Sequence, residues 1–304
     1  MKTPIYILSG FLGAGKTTLL RNILEQEKEK GRKVAVLMNE LGEVSIDSHA
    51  VDEETPLKEL LNGCVCCTIQ GQLESQLQEL IHLHSLDVIY IEATGVAHPI
   101  EVVDACMSPI LVEHVNVEGV ISLVDAKRWK NRKELSPQLQ SLLIEQVKHA
   151  DVILLNKVDD ISEAKQGQLA FEIQQLNPYG KLLFTTFAKI NIDDIQVFER
   201  KTREVHEDAH VHQKLHLKTF VYKFTRPVDL DQFEDWLRVM PDNIFRIKGY
   251  LRFTHSDSLF LFQYSYGMPI YMKELVKIPT NLVFIGENLP IEEIREALHK
   301  LESE

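Results

Sequence analysis

The octapeptide Gly10-Phe11-Leu12-Gly13-Ala14-Gly15-Lys16-Thr17 constrains this chain more than any other feature. It fits G-x-x-x-x-G-K-[ST], a phosphate-binding loop that works only between a strand and the start of a helix. Both flanks are present. Ile5-Tyr6-Ile7-Leu8 reads as a buried strand, and Thr18, Leu19, Leu20, Ile23 and Leu24 set a helical pattern. Glycine lets the backbone curl so that its N–H groups point inward, and the helix start adds partial positive charge. The phosphate site is therefore expected to comprise Gly10, Gly13, Ala14, Gly15, Lys16, Thr17 and Thr18. Lys16 reaches the outer phosphates, and the Thr17 hydroxyl binds Mg²⁺.

The first two-thirds of the chain alternate β-rich runs with helical patterns, which predicts a mostly parallel sheet flanked by helices. Strands are expected at Ile5–Ser9, Val34–Asn39, Val88–Glu92, Val120–Asp125, Val152–Asn156 and Lys181–Thr185. Helices are expected over Thr18–Lys28, Gln72–His84, Leu139–Lys148 and Glu163–Leu176. Ligands in such folds gather at the carboxyl ends of strands, where Gly10, Asn39, Glu92, Asp125 and Asn156 fall. A charged, histidine-bearing linker follows, and then a different rhythm. Leu217–Tyr222, Ile244–Phe253, Ser258–Tyr264 and Leu282–Ile285 are strand-like, Leu230–Val239 is helical, and a last helix starts at Pro290. The expected division is a P-loop domain at 1–195, a linker at 196–214 and a smaller α+β domain at 215–304.

Asn156-Lys157-Val158-Asp159 ends the Val152–Leu155 run and gives N-K-x-D. The Asp159 carboxylate accepts from the ring N–H and exocyclic amine of guanine together, while Asn156 meets the other edge. Adenine offers no such donor pair and would leave Asp159 unmatched, at about 1–3 kcal/mol per unpaired group. GTP is therefore expected over ATP. Glu92, ahead of Ala93-Thr94-Gly95, is the expected magnesium carboxylate beside the Thr17 hydroxyl, with Asp125 as the alternative; Gly95 is the expected γ-phosphate sensor.

Net charge -12 argues against a nucleic-acid partner. No apolar run approaches the roughly 20 residues of a membrane span. The N-terminus enters a strand with no signal-like segment, and a cytoplasmic protein is expected. Three of the four cysteines, Cys64, Cys66 and Cys67, form C-x-C-C. They are too close for a disulfide framework and are soft ligands if reduced. In extended backbone Cys64 and Cys66 share a side, with Cys67 pointing away unless a turn brings it round. Glu40, Cys67 or a histidine could complete a tetrahedral site. Cys106 reads as a small buried residue, and His98 and His149 as structural residues rather than ligands.

Five ordered motifs carry a family resemblance: Gly10–Thr17, Asn39-Glu40-Leu41-Gly42 with Ile46-Asp47, Gly63–Cys67, Glu92–Pro99 and Asn156–Asp159. Together they resemble the CobW-type P-loop GTPases, relatives of the nickel-insertion GTPases of hydrogenase and urease maturation. His210-Val211-His212, Phe245–Tyr250 and Leu282–Gly286 resemble the CobW C-terminal domain. The resemblance implies slow intrinsic GTP hydrolysis to GDP and phosphate, with zinc, cobalt or nickel at the C-x-C-C loop. It also implies metal delivery to a client metalloprotein. By analogy Asn39–Asp47 is the first switch, with Glu40 facing the metal or the attacking water. Catalytic candidates are thus Lys16, Thr17, Glu40 and Glu92. Transition-metal candidates are Cys64, Cys66, Cys67 and Glu40, with zinc favoured by its ligand chemistry and supply. Where relatives carry a long histidine tract, this chain has only His206, His210, His212 and His216, readable as ligands or as linker residues. A regulatory GTPase that binds a partner without transferring metal is the alternative function. The sequence leaves the oligomeric state open.

Overall fold

The computed structural model describes residues 2–38, 57–59, 69–195, 217–265, 267–275 and 278–303. Two compact units result: residues 1–106 with 114–216, and residues 107–113 with 217–304.

The first unit is built on β1 (Thr3–Gly10), β2 (Val34–Met38), β3 (Leu57–Glu59), β4 (Val88–Glu92), β5 (Val115–Asp125), β6 (Val152–Asn156) and β7 (Lys181–Thr185). They form a seven-stranded sheet in the order β3-β2-β4-β1-β5-β6-β7, with every described pairing parallel. The first strand is thus central, and its carboxyl end lies between those of β4 and β5. Helices α1 (Lys16–Glu29), α2 (Ile69–Leu83), α3 (Pro99–Cys106), α4 (Ala126–Lys130), α5 (Pro137–Lys148) and α6 (Glu163–Leu176) provide the crossovers.

Both sheet faces are covered, which explains why the strands read as unbroken apolar runs. Successive residues of β6 separate accordingly. Val152 and Leu154 pack with Leu19, Leu20 and Ile23 of α1, whereas Ile153 and Leu155 pack with Trp129, Leu143, Val147, Leu169 and Ile173. Leu19 and Ile23 are wholly buried, and each contributes about 1.5–3 kcal/mol by leaving water. Helix α1 is also tied by the Tyr90 hydroxyl, which donates to Glu27 at 2.6 Å.

Two strands of this sheet depart from the sequence expectation by more than two residues. The fifth begins at Val115, ahead of the expected Val120; half-buried Asn116 and Glu118 interrupt its apolar run and so hide its start in the sequence, and their side chains bond each other at 2.7 Å. The three-residue β3 is too short for periodicity to reveal.

The second unit is an antiparallel sheet of β8 (Leu217–Lys223), β9 (Ile244–Arg252), β10 (Leu259–Ser265), β11 (Met268–Glu274) and β12 (Asn281–Glu287), in the order β11-β10-β9-β12-β8. Helices α7 (Leu230–Arg238) and α8 (Ile291–Ser303) bring Phe233, Leu237, Ile294 and Leu298 into one core with Ile247, Leu251, Phe262 and Phe284. Asp229 caps α7, accepting from Gln232 N at 3.0 Å. The edge strand β11 is largely exposed and carries Pro269, so no alternating pattern marked it. Residues 107–113 join this unit: Asn281 donates to the Pro109 carbonyl at 3.0 Å, and Lys223 pairs with Glu113 at 2.8 Å. No helix among the described residues is long and apolar enough to cross a membrane.

Candidate functional site

The loop after β1 is held by close backbone approach. Gly10 has φ 130°, and a β-carbon there would collide with the Leu123 carbonyl of β5. Only glycine fits both the angle and the space. Ala14 N donates to the Phe11 carbonyl at 3.1 Å, and α1 opens at Lys16 behind Gly15. The Lys16 ammonium folds inside the loop, donating to the carbonyls of Gly10 at 2.8 Å and Phe11 at 3.3 Å. Burial pulls its pKa down, and the nearby Glu92 carboxylate opposes that shift. Thr18 is exposed on the first turn of the helix.

Glu92 ends β4, beside β1. Its carboxylate accepts from the Thr17 hydroxyl at 2.8 Å, bringing together two candidate oxygen ligands placed 75 residues apart. Asp125 is committed elsewhere. One oxygen caps α4 by accepting from Arg128 N at 2.9 Å, and the other binds Lys157 at 2.7 Å. These bonds hold the Asp125 carboxyl below the usual range although burial pushes the other way. Gly95 packs on the phosphate loop, where a β-carbon would stand 2.5 Å from Leu12 N. Gln146 of α5 steadies the same turn, donating to the carbonyls of Gly95 at 3.2 Å and Ala97 at 3.3 Å.

In the Asn156–Asp159 motif at the end of β6, Asn156 is 2% exposed. Its amide donates to the Ala14 carbonyl at 2.8 Å and accepts from Ala188 N at 3.0 Å. Expected at a guanine edge, it bridges the phosphate loop to the turn after β7. Lys157 donates to the Gly13 carbonyl at 2.8 Å, from a left-handed conformation at φ 59°. Asp159 is exposed in the short 3₁₀ turn that follows. Sequence reasoning missed Phe187 and Ala188. Both have positive φ, 53° and 51°, and both are anchored by Asn22, which donates to their carbonyls at 3.2 and 3.0 Å. Their position after the strand next to β6 was the available signal; their residue types carried none.

Residues 4–184 match the family described as CobW/HypB/UreG, nucleotide-binding domain, and residues 217–302 match the cobalamin synthesis protein cobW C-terminal domain. The chain belongs to the CobW family of P-loop GTPases. It is 33% identical over 318 residues to the zinc chaperone YjiA of Escherichia coli, covering 96% of each chain. It is 27% identical over 299 residues to the zinc chaperone YeiR of the same organism, covering 95% of this chain and 88% of that one. The crystal structure of the zinc-bound YjiA GTPase superposes with TM-score 0.52 at 27% identity, over 99% of both chains.

Several site residues expected in this CobW-family chain lie outside the described residues: Glu40, Cys64, Cys66, Cys67 and the linker histidines His206, His210, His212 and His216. Cys106 is fully buried as a free thiol, and burial drives its pKa up. His98 and His149, expected as structural residues, come together with their rings 5.9 Å apart.

Proposed function

We propose that this protein is a GTP-driven metal chaperone that carries zinc at its C-x-C-C loop and releases it to a client protein when GTP is hydrolysed. The Thr17–Glu92 contact beside Lys16 is the observation that carries the nucleotide half. A hydroxyl and a carboxylate 2.8 Å apart form an all-oxygen pair, which suits Mg²⁺. Thr17 and Glu92 would hold that ion, and it would neutralise charge on the phosphates. Asp125, bound to Lys157, is left as a loop anchor. Lys16 binds the outer phosphates, and Asp159 reads guanine from its exposed turn.

The metal half rests on the chemistry of Cys64, Cys66 and Cys67 with Glu40 or an imidazole, a soft set suited to zinc. It is supported by the naming of the E. coli relatives YjiA and YeiR as zinc chaperones. Glu40 lies in the segment expected to order around the γ-phosphate, so GTP tightens the metal site and hydrolysis loosens it. Product analysis together with zinc titration tests the reading. The expected outcome is GDP and free phosphate from GTP, with most zinc affinity lost in Cys66→Ala. A phosphorylated metabolite, or unchanged zinc binding in that variant, contradicts it.

A further inference from the structure

A second set of ligand-type side chains lies apart from the thiol motif. His98 immediately precedes α3, while Glu145 and His149 sit at i,i+4 spacing at the end of α5. A ligand atom from each of the three lies within 4.8 Å of the other two. His149 Nε2 stands 2.9 Å from Glu145 Oε2, and Lys148 holds the other carboxylate oxygen at 2.9 Å. A helical glutamate–histidine pair near a helix C-terminus is ordinary by itself. It does not account for a second imidazole, from a different segment, brought against the first. Two histidines and one carboxylate match the three protein ligands of many zinc sites.

We propose that His98, Glu145 and His149 bind one divalent transition-metal ion of the zinc or cobalt class, independently of the cysteines. Tetrahedral Zn–N and Zn–O distances put ligand atoms about 3.3 Å apart, so closure from 4.8 Å is within reach of side-chain rotation by half-buried His98 and Glu145. Burial, and then the neighbouring His149, pull the His98 pKa down and favour the neutral ring. The bond with His149 pulls Glu145 down to about 2, so it is a carboxylate at neutral pH. The placement gives the ion a purpose. Gln146 already holds the Gly95 turn to α5, and an ion on His98 fastens the end of the same segment to the same helix. Metal occupancy here fixes the stretch that follows Glu92.

Cobalt titration of the full chain carrying Cys64→Ser, Cys66→Ser and Cys67→Ser separates this site from the thiol site. The expected result is one equivalent of Co²⁺ with visible d–d bands and no thiolate charge-transfer absorption. Adding His98→Asn should weaken it at least tenfold, and so, separately, should Glu145→Gln. Both positions are only half-buried, so neither substitution leaves a hole in the core; His149→Phe is the harsher companion. Guanine nucleotide binding by each variant reports that it is folded. No cobalt binding by the folded cysteine-free chain overturns the proposal. So does binding that His98→Asn and Glu145→Gln leave unchanged, which would place the ion elsewhere, such as on the linker histidines.

Discussion

Asn156→Ala is expected to loosen the nucleotide site from beneath. The side chain is 2% exposed and makes two bonds, to the Ala14 carbonyl at 2.8 Å and from Ala188 N at 3.0 Å. A typical hydrogen bond contributes about 0.5–1.5 kcal/mol net, but a buried group stripped of its partner costs about 1–3 kcal/mol. Two such groups, with partial rescue by water in the space vacated, give a loss of about 2–4 kcal/mol. For a unit of about 200 residues that lowers the melting temperature by roughly 4–16 °C. Thermal unfolding without nucleotide, followed with titration of a fluorescent GDP analogue, measures both consequences. Nucleotide affinity should also fall, because the Ala14 and Ala188 loops lose their common anchor. Asn156→Asp keeps the acceptor for Ala188 N but sets a carboxylate against the Ala14 carbonyl, and should be no better than alanine. A melting shift below about 2 °C with unchanged GDP affinity would refute the bridging role.

Other outcomes follow from the same geometry. Lys16→Ala should abolish GTP hydrolysis and greatly weaken triphosphate binding; a folded variant with normal turnover would sink the phosphate-loop assignment. Asp159→Asn should exchange guanine preference for xanthine, whose ring carbonyl accepts from an amide, and competition between GTP and XTP reads this directly. Glu145 has a folded pKa of about 2 against an ordinary 4.5, set first by its bond to His149. A depressed carboxylate stabilises the fold fully above its ordinary pKa and loses that contribution as pH falls from 4.5 toward 2. Glu145→Gln should therefore flatten the acid limb of the stability profile in that window, and denaturant melts across it would show no change if the contact is idle.

The sheet was legible because burial on both faces writes itself as continuous apolar runs, and because Gly10, Glu92 and Asn156 punctuate strand ends. The meeting of Thr17 with Glu92 followed from that layout. What stayed hidden depends on contacts between distant segments. Asn156 carries the identity of a base reader, but its bonds reveal a bridge between loops. Phe187 and Ala188 adopt left-handed backbone that their side chains disfavour, so their residue types give no sign of them. Asp125 and Glu92 look equivalent at strand ends, and their partners separate them: Thr17 for Glu92, Arg128 N and Lys157 for Asp125. His98 lies about 50 residues before His149, and nothing in their spacing foretold that their rings meet.

Coupling between nucleotide and metal is the heart of the chaperone proposal, and zinc affinity in each nucleotide state measures it. Coupling is reciprocal, so GTP that tightens zinc binding must itself be tightened by zinc to the same degree. Titration of the full chain with Mg²⁺ and either a non-hydrolysable GTP analogue or GDP should give zinc affinity at least about tenfold higher with the triphosphate, roughly 1.4 kcal/mol. Cys66→Ala should remove that difference, while His98→Asn should leave the thiol-dependent part of it in place. Equal zinc affinities in the two nucleotide states would leave a GTPase that binds metal without a switch, and the proposed delivery cycle would be wrong.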